Sequence, residues 1–236
     1  MAQARLEELE QALGHKFREP ALIERALTHR SAIADRPATE TVGDNEQFEY
    51  LGDAVLGMLV SEYLVRAYPH WSEGQLSKSR ARLVNATALC SAGRRLGLGE
   101  YLNLGRGEEK TGGRDKPALL ADAFEAIIAA IYLDAGLEAT RDFILRALLE
   151  PGIASQGSRL EHSDYKSALQ EFLQARGLPP ARYEVVREEG PDHQKMFWVE
   201  VGVASLVSAT GSGSNKKEAE QSAAEQALEQ LRSQPA

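Results

Sequence analysis

The chain has 236 residues, of which 43% are hydrophobic and 26% charged, a composition typical of a globular protein of one or two domains. Its net charge of −8 argues mildly against nucleic acid as a partner, although binding depends on where the positive charges lie. A single cysteine, Cys90, rules out an internal disulfide, which favours the reducing cytoplasm. The sequence also shows no apolar signal segment and no uncharged run of membrane-spanning length, so we expect no membrane contact.

The first 150 residues are predicted to be mainly helical. Leucines at helical spacing precede Gly14, a typical helix stop, and Pro20 begins a second short helix that reaches His29. The stretches 31–44 and 105–117 are predicted to be loops. Longer helices are predicted over residues 45–67, 73–97, 117–134 and 138–149.

The composition changes near residue 150, which predicts two domains, 1–150 and 163–236, joined by a linker over residues 151–162. Beyond the linker the pattern becomes α-β-β-β-α, with a first helix from Tyr165 and a last helix that Asn215 caps. The strands are predicted over residues 182–188, 196–204 and 206–211. The predicted fold is therefore a mainly α domain followed by an α+β domain with a three-stranded antiparallel sheet.

Five carboxylates stand where two of the predicted helices should bury apolar side chains. They are Glu46, Glu49 and Asp53 in the first helix and Asp122 and Glu125 in the second. Within each helix the spacing is i, i+3 or i+7, so the acids share one face. An ionised carboxylate in an apolar surface is costly unless it is paired or binds a metal, and grouped carboxylates raise one another's pKa. The pattern therefore predicts a divalent metal site between the two helices.

The candidate ligands are all oxygens, because neither helix contains His or Cys. Oxygen ligands favour Mg²⁺, with Mn²⁺ as a substitute, over zinc or iron. A di-iron carboxylate bundle is the alternative for paired acids, but such bundles use Glu-x-x-His motifs and this chain has none. Glu73, in the first turn of a predicted helix, needs no metal to explain it, since an acid there favours the helix dipole.

Two lysines, Lys216 and Lys217, open the last helix directly after the glycine-rich residues 211–215. Positive side chains oppose the helix dipole at that end, whereas a bound phosphate would make the same arrangement favourable. The glycines are expected to leave the backbone open to such a group. The alternative is that the two lysines are ordinary solvated surface charges.

Residues 45–56, NEQFEYLGDAVL, closely resemble the signature of bacterial ribonuclease III, and the likeness extends through residues 28–31 (THRS), 73–76 (EGQL) and 120–126 (LADAFEA). The resemblance implies a magnesium-dependent endonuclease that cleaves double-stranded RNA and leaves 5′-phosphate and 3′-hydroxyl ends with short 3′ overhangs. It also implies the processing of ribosomal RNA precursors and other structured transcripts.

The same resemblance assigns roles to the acids. It implies that the metal ligands are Glu49, Asp53, Asp122 and Glu125. Asp53 and Glu125 are expected to be the indispensable catalytic acids, with Glu46 and Glu73 in supporting roles.

In the resembling family the helix over residues 45–60 forms a symmetric dimer interface. Tyr50 stands where the family commonly has Phe and is expected to fill a pocket across that interface. Gly52 is a poor helix former, and we expect a close helix crossing there, at the same interface. A homodimer with a two-fold axis would have two sites, one for each RNA strand.

Residues 164–231 resemble the double-stranded-RNA-binding domain, through residues 164–171 (DYKSALQE), 190–193 (GPDH) and 211–220 (GSGSNKKEAE). By this resemblance, the RNA contacts are minor-groove contacts from Gln170, Glu171 and His193 and phosphate contacts from Lys216 and Lys217. One departure is Glu220, where many members have a third basic residue. Residues 163–236 hold eight basic and eleven acidic side chains, so a modest RNA affinity is expected.

The competing interpretation is a dimeric RNA-binding protein whose helical domain is not catalytic. It would require the carboxylate pattern to be broken, and all of the acids are present. Metal-dependent cleavage of a plain RNA duplex separates the two interpretations.

Overall fold

The structure is a computed structural model that describes residues 3–34, 43–156, 165–191, 195–204 and 206–233. The chain separates into two compact units, Met1–Ser155 and Gln156–Ala236. Within the described ranges, no helix combines the length and the apolar character that crossing a membrane requires.

The first unit is helical, as predicted. Its helices are α1 (Gln3–Leu13), α2 (Pro20–Ala26), α3 (Arg30–Ala34), α4 (Glu46–Ala67), α5 (Glu73–Leu83), α6 (Ala86–Arg95), α7 (Leu98–Tyr101), α8 (Arg106–Lys110), α9 (Pro117–Ile144) and α10 (Glu150–Gln156). A 3-10 turn at Gly113–Asp115 precedes α9, and a π-helical turn at Leu145–Leu149 follows it.

Helix α9 is the centre of this unit, and α2, α4 and α6 pack against it. Its residues 126–131 are completely buried, which explains their almost uniformly apolar character. Phe124 of α9 contacts Phe143 from the far end of the same helix, with ring centroids 5.6 Å apart. This apolar centre fixes the two helices that carry the predicted acids.

The region predicted as one helix over residues 73–97 consists of two, α5 and α6. Ser72 caps α5 with the reciprocal hydrogen bonds of a capping box to Gln75. The break comes at Asn85, whose backbone is extended and whose side-chain oxygen accepts a hydrogen bond from the amide of Ala88. Asn85 is therefore a second helix start, which the continuous helical periodicity concealed.

Helix α9 also differs from its prediction, because it continues where a break was expected between residues 134 and 138. Gly136 has φ of 80° and ψ of −172°, so the chain kinks there and the two predicted helices are the two arms of α9. Glycine permits this backbone, which other residues adopt only with strain.

Short helices occupy stretches that were predicted as loop or linker. Helix α3 lies in the predicted loop 31–44, and α8 lies in the predicted loop 105–117. Helix α10 covers the first residues of the predicted linker, because Pro151 is tolerated in a first helical turn. The rest of the predicted linker lies outside the described residues.

The second unit has the predicted α-β-β-β-α order. Its elements are α11 (Tyr165–Ala175), β1 (Arg182–Glu189), β2 (Met196–Val203), β3 (Val207–Gly213) and α12 (Lys216–Ser233). The three strands form an antiparallel sheet in the order β1-β2-β3. One face of the sheet packs with both helices, through Val201 and Val203 of β2 and Ala223 and Ala227 of α12. The predicted fold class is confirmed for both units.

Candidate active site and nucleic-acid interface

The crossing of α4 over α9 takes place at Gly52. A β-carbon on Gly52 would lie 1.9 Å from the backbone carbonyl oxygen of Glu125, so no larger residue fits there. The predicted close helix crossing is therefore present, but the second helix is α9 of the same chain. Gly52 is buried against α9 of its own chain, and its assignment to a dimer interface stays a prediction.

This crossing brings together three of the predicted metal ligands. Glu49 of α4 and Asp122 and Glu125 of α9 each offer a carboxylate oxygen, and these oxygens lie within 4.8 Å of one another. We call these three residues the acid triad. Asp53 lies one helical turn beyond Glu49 on α4, is exposed, and is close enough to act on the charge of Glu125. The triad supplies oxygen donors that lie close enough together to converge on one Mg²⁺ or Mn²⁺ ion.

The electrostatics of the triad favour an added cation. Burial, followed by the charges of Asp53, Glu49 and Asp122, raises the pKa of Glu125 to about 7. Burial and the neighbouring acids Asp122, Glu46 and Asp53 also raise the pKa of Glu49. A cation held between the carboxylates would reverse these shifts, since an opposite charge favours the ionised form.

The two predicted supporting acids lie in different surroundings. Glu46, at the first turn of α4, pairs with Arg30 at 3.2 Å, and its charge contributes to the raised pKa of Glu49. Glu73, at the first turn of α5, accepts a hydrogen bond from the hydroxyl of Ser77 at 2.7 Å and lies outside the triad. Glu46 therefore borders the site, and Glu73 belongs to a neighbouring helix.

One residue of the THRS motif, His29, acts on the triad although the sequence analysis gave it no role. Burial raises the pKa of Asp122, and the charge of His29 opposes that shift. Nδ1 of His29 accepts hydrogen bonds from the hydroxyl of Ser31 at 2.8 Å and from its amide at 3.3 Å, which leaves Nε2 to carry the proton in the neutral ring. Only the motif resemblance could have found this residue, because its electrostatic interaction with Asp122 joins distant parts of the chain.

The outer face of α4 is apolar and open. Tyr50 is 82% exposed, and Met58 and Val65 continue the same face at helical spacing with exposures of 48% and 55%. A cavity of about 400 Å³ opens between α4 and α5, with Met58 in its lining. Its lining residues are Asp53, Ala54, Gly57, Met58, Ser61, Arg80 and Val84.

The predicted RNA contacts in the second unit lie on the surface where the structure describes them. Gln170 and Glu171 are exposed on α11, and Lys216 and Lys217 are exposed in the first turn of α12. The sequence prediction for His193 lies outside the described residues.

The glycines before α12 have a different purpose from the one expected. A β-carbon at Gly211 would lie 2.0 Å from the amide nitrogen of Ala223, and one at Gly213 would lie 2.5 Å from the amide nitrogen of Ala219. These glycines let β3 pack directly on α12 and do not leave an opening for a ligand. The expectation of an open backbone at this point is therefore wrong, although the lysines remain exposed.

The departure at Glu220 is explained by a partner on the other helix. Glu220 of α12 pairs with Lys166 of α11 at 2.7 Å, and the ammonium group of Lys166 also lies 4.3 Å from the ring centroid of Tyr183. The amide of Lys166 donates to the side-chain oxygen of Gln221 at 3.0 Å. The acid therefore ties the two helices together instead of contacting an external group.

Carboxylates also surround the start of α12. The amide and hydroxyl of Ser214 donate to Glu218, and the side chain of Asn215 accepts from the amide of Glu218 at 2.9 Å. Lys216 pairs with Glu188 of β1 at 3.3 Å, and Lys195 pairs with the same carboxylate at 2.9 Å. Sequence patterns did not indicate Glu188, because its contact with Lys216 joins β1 to the start of α12, which are distant along the chain.

Known families match both units. Residues 19–151 match the Ribonuclease-III-like family, and residues 165–231 match the Double-stranded RNA binding motif. The fold and the acid triad thus define a nuclease domain of the ribonuclease III type followed by an RNA-binding motif. The chain belongs to the ribonuclease III family, because the first of these matches covers more than half of the chain.

Relatives named Ribonuclease 3 are similar over nearly the whole chain. The protein from Solibacter usitatus is 48% identical over 236 residues, which cover 96% of this chain and 87% of that protein. The protein from Thermobifida fusca is 45% identical over 232 residues, which cover 98% of this chain and 94% of that protein. Both units are therefore matched in a single relative, in the same order.

Solved structures of the nuclease domain of ribonuclease III from Campylobacter jejuni have the fold of the first unit. One matches with a TM-score of 0.57 and 40% identity, over 64% of this chain and 97% of that domain. Another, described as flexible in the region involved in dimer formation, matches with a TM-score of 0.56 and 41% identity, over 61% of this chain and 96% of that domain.

Proposed function

We propose that this protein is a divalent-metal-dependent endonuclease that cleaves double-stranded RNA. The observation that carries the proposal is the acid triad, in which three half-buried carboxylates are held within 4.8 Å of one another at a backbone crossing. The negative charges of such a cluster repel one another, and a bound cation would offset this repulsion. Membership of the ribonuclease III family supplies the substrate class.

Glu49, Asp122 and Glu125 would hold Mg²⁺, or Mn²⁺ in its place. When bound, a divalent ion supplies an activated water and stabilises charge on the leaving oxygen of an in-line phosphoryl displacement. Asp53 lies at the exposed edge of the triad, where its carboxylate would orient the attacking water and accept its proton. Glu46, held by Arg30, adds negative charge beside Glu49 and strengthens the hold of the site on a cation.

The proposed bond cleavage is a hydrolysis. Water attacks the phosphorus atom, the bond to the 3′ oxygen breaks, and that oxygen takes up a proton. The products are a 5′-phosphate and a 3′-hydroxyl. Glu73, on α5, is proposed to support the reaction from outside the triad.

The second unit is proposed to bind the duplex by shape. Lys216 and Lys217 would contact phosphates, and Gln170 and Glu171 would contact a minor groove from the exposed face of α11. His193 is proposed to enter the next minor groove. Because most of these contacts reach phosphate and ribose, binding would depend little on base sequence.

The proposed assembly is a homodimer formed through the outer face of α4. The support is the 82% exposure of Tyr50, the apolar face that continues from it, and the neighbouring cavity that would receive a tyrosine side chain from a second copy. A relative from Campylobacter jejuni is described as having a region involved in dimer formation. Two sites related by a two-fold axis would cut the two strands at staggered positions, leaving short 3′ overhangs.

The cytoplasm is the proposed location, and ribosomal RNA precursors and other structured transcripts are the proposed substrates.

Cleavage of a plain RNA duplex tests the proposed activity. The purified chain is incubated with an end-labelled duplex in Mg²⁺, in Mn²⁺, and in excess chelator, with the single strand of the same sequence as the control substrate. We expect cleavage of the duplex in either metal, none in chelator, and 5′-phosphate ends on the products. Duplex binding without cleavage in either metal would instead support the non-catalytic RNA-binding alternative.

Sedimentation tests the proposed dimer. The chain is expected to have a dimeric mass at micromolar concentration, and Tyr50→Ala is expected to shift it toward monomer. Tyr101→Ala, on the separate helix α7, serves as the control and should leave the mass unchanged. A monomeric mass for the unmodified chain would contradict this part of the proposal.

A further inference from the structure

The lysine that opens α12 is already paired before any RNA arrives. Nζ of Lys216 lies 3.3 Å from a carboxylate oxygen of Glu188, and Nζ of Lys195 lies 2.9 Å from the other oxygen. Both ammonium groups also lie 5.7 Å from the ring centroid of Phe197, so they share one small surface. Glu188 is thus the common partner of two cations at the start of α12.

A β-bulge in β1 puts Glu188 in this position. Tyr183 and Val185 stand opposite Val201 and Val199 of β2, on the face of the sheet that packs with the helices, but the register shifts between Val185 and Arg187. After the shift, Glu188 stands opposite Phe197 on the same face. Without the extra residue, Glu188 would point to the opposite face of the sheet and could not reach Lys216.

The pairing is electrostatically effective. Hydrogen bonds from Lys195 and then Lys216 lower the pKa of Glu188, which favours its ionised form. Its negative charge occupies the region of the lysine where a phosphate oxygen would bind.

We propose that Glu188 is an internal substitute for phosphate, which an RNA duplex must displace from Lys216 and which thereby limits RNA affinity. This inference rests on the proposed contact of Lys216 with RNA. When a phosphate takes the place of the carboxylate, one ion pair replaces another, and the displaced Glu188 stays nearby as a repelling charge. The second unit therefore binds its partner by exchange, and Glu188 weakens binding without touching RNA itself.

The test compares RNA affinity across a series of salt concentrations, by fluorescence anisotropy with a labelled duplex in buffer free of divalent cations. Glu188→Gln in the full chain keeps the shape of the side chain and removes its charge. We expect binding about threefold tighter at near-physiological salt, the range of one exposed ion pair. The slope of log affinity against log salt should also steepen, by up to about 0.9 for one phosphate contact that is no longer opposed.

Glu184→Gln is the matched control. Glu184 lies on the same strand as Glu188, and its substitution makes the same change of charge. Its cross-strand neighbour, however, is Glu200. We expect its affinity and slope to equal those of the parent. An equal gain in both variants would overturn the inference, because it would reflect net charge alone.

A double variant shows whether Glu188 acts through Lys216. The gain from Glu188→Gln should fall when Lys216→Ala is also present, and an equal gain in both backgrounds would overturn the inference. If Lys216→Ala alone binds as tightly as the parent, the proposed phosphate contact fails. If Lys216→Ala weakens binding but Glu188→Gln changes nothing, the phosphate contact stands and only the role of Glu188 fails.

Discussion

At the crossing of α4 and α9, three carboxylates are held together by the backbone, whereas at the start of α12 lysines and carboxylates already neutralise one another. The first cluster is repulsive, and burial makes the repulsion stronger. The second is exposed and balanced, with Glu188 paired to both Lys195 and Lys216.

This difference separates two ways of preparing a surface for a charged ligand. The acid triad is incomplete on its own, so a cation relieves a cost that folding has already incurred. The charges at the start of α12 already neutralise one another, so the proposed phosphate would gain only the difference between two ion pairs. Substitutions should therefore have all-or-none effects at the triad and graded effects at α12.

The largest effect is expected for Glu125→Gln, which retains the shape of the side chain but removes the charge a cation needs. We expect cleavage of duplex RNA to fall by about a thousandfold or more, which corresponds to about 4 kcal/mol of transition-state stabilisation. RNA binding should be unchanged, because it is assigned to the other unit. Single-turnover cleavage and anisotropy measure the two properties separately.

Glu138→Gln is the control, because Glu138 is an exposed acid on the same helix, paired with Arg141. It should cleave at the parent rate. If Glu125→Gln also cleaves at nearly that rate in Mg²⁺, the triad is not the active site.

The close crossing itself is tested by Gly52→Ala. The added carbon would meet the Glu125 carbonyl oxygen at 1.9 Å, so the helices must separate, and we expect a loss of about 3 kcal/mol in the free energy of unfolding. Gly107→Ala, on α8, has no atom within 4 Å of its added carbon and should be neutral or stabilising by about 0.5–1 kcal/mol. Equal denaturation midpoints for the two variants would contradict the packing described for α4 and α9.

The repulsion within the triad predicts how stability depends on pH in the absence of metal. The pKa of Glu125 is raised from 4.5 to about 7 in the folded protein, so the folded state holds this proton more tightly than the unfolded state. The free energy of unfolding should therefore fall as pH rises from 4.5 to about 7. Discounted for partial exposure, the change attributable to Glu125 is about 2 kcal/mol.

Thermal unfolding of the parent and of Glu125→Gln across this pH range isolates the effect of the one carboxylate. The difference in stability between the two proteins should grow in favour of the variant as pH rises. Added Mg²⁺ should restore the stability of the parent above pH 7. A difference in stability that stays constant at all pH values would mean that the Glu125 carboxylate is not destabilised by burial and by its acidic neighbours.

The smallest effect is expected at α12. Lys216→Ala combined with Lys217→Ala should weaken duplex binding about tenfold and flatten the salt dependence by roughly 0.9 for each lost phosphate contact. Cleavage should persist at low salt, and discrimination between duplex sequences should barely change. Arg232→Ala, in the last turn of the same helix, is the control. An unchanged slope in the double variant would make these lysines ordinary surface charges.

Much of the first cluster was predictable because its pattern is local. The spacing of Glu46, Glu49 and Asp53 within one helix, and of Asp122 and Glu125 within another, places the acids on helix faces. Gly52 even indicated a close crossing. The helix that it crosses was not predictable, because the same glycine would suit contact with a second chain, and only the folded arrangement decides between the two.

The second cluster was only half predictable. Lys216 and Lys217 follow from a helix-start pattern, but the position of Glu188 depends on a bulge between Val185 and Arg187 that carries no glycine to mark it. Simple alternation along β1 would assign Glu188 to the wrong face. The break at Asn85 is similar in kind: the capping residue was visible, but helical periodicity on both sides of it outweighed one short polar side chain.

The contact between Lys166 and Gln221 affects the order in which parts of the chain can fold during synthesis. The amide at the start of α11 is satisfied by a side chain 55 residues further along the chain, and the neighbouring Glu220 supplies the ion pair that holds α11 in place. An 11-residue helix without such partners is marginal in water. We therefore expect that α11 does not form a stable helix on the ribosome until α12 has emerged. By then the preceding nuclease unit has had the opportunity to fold.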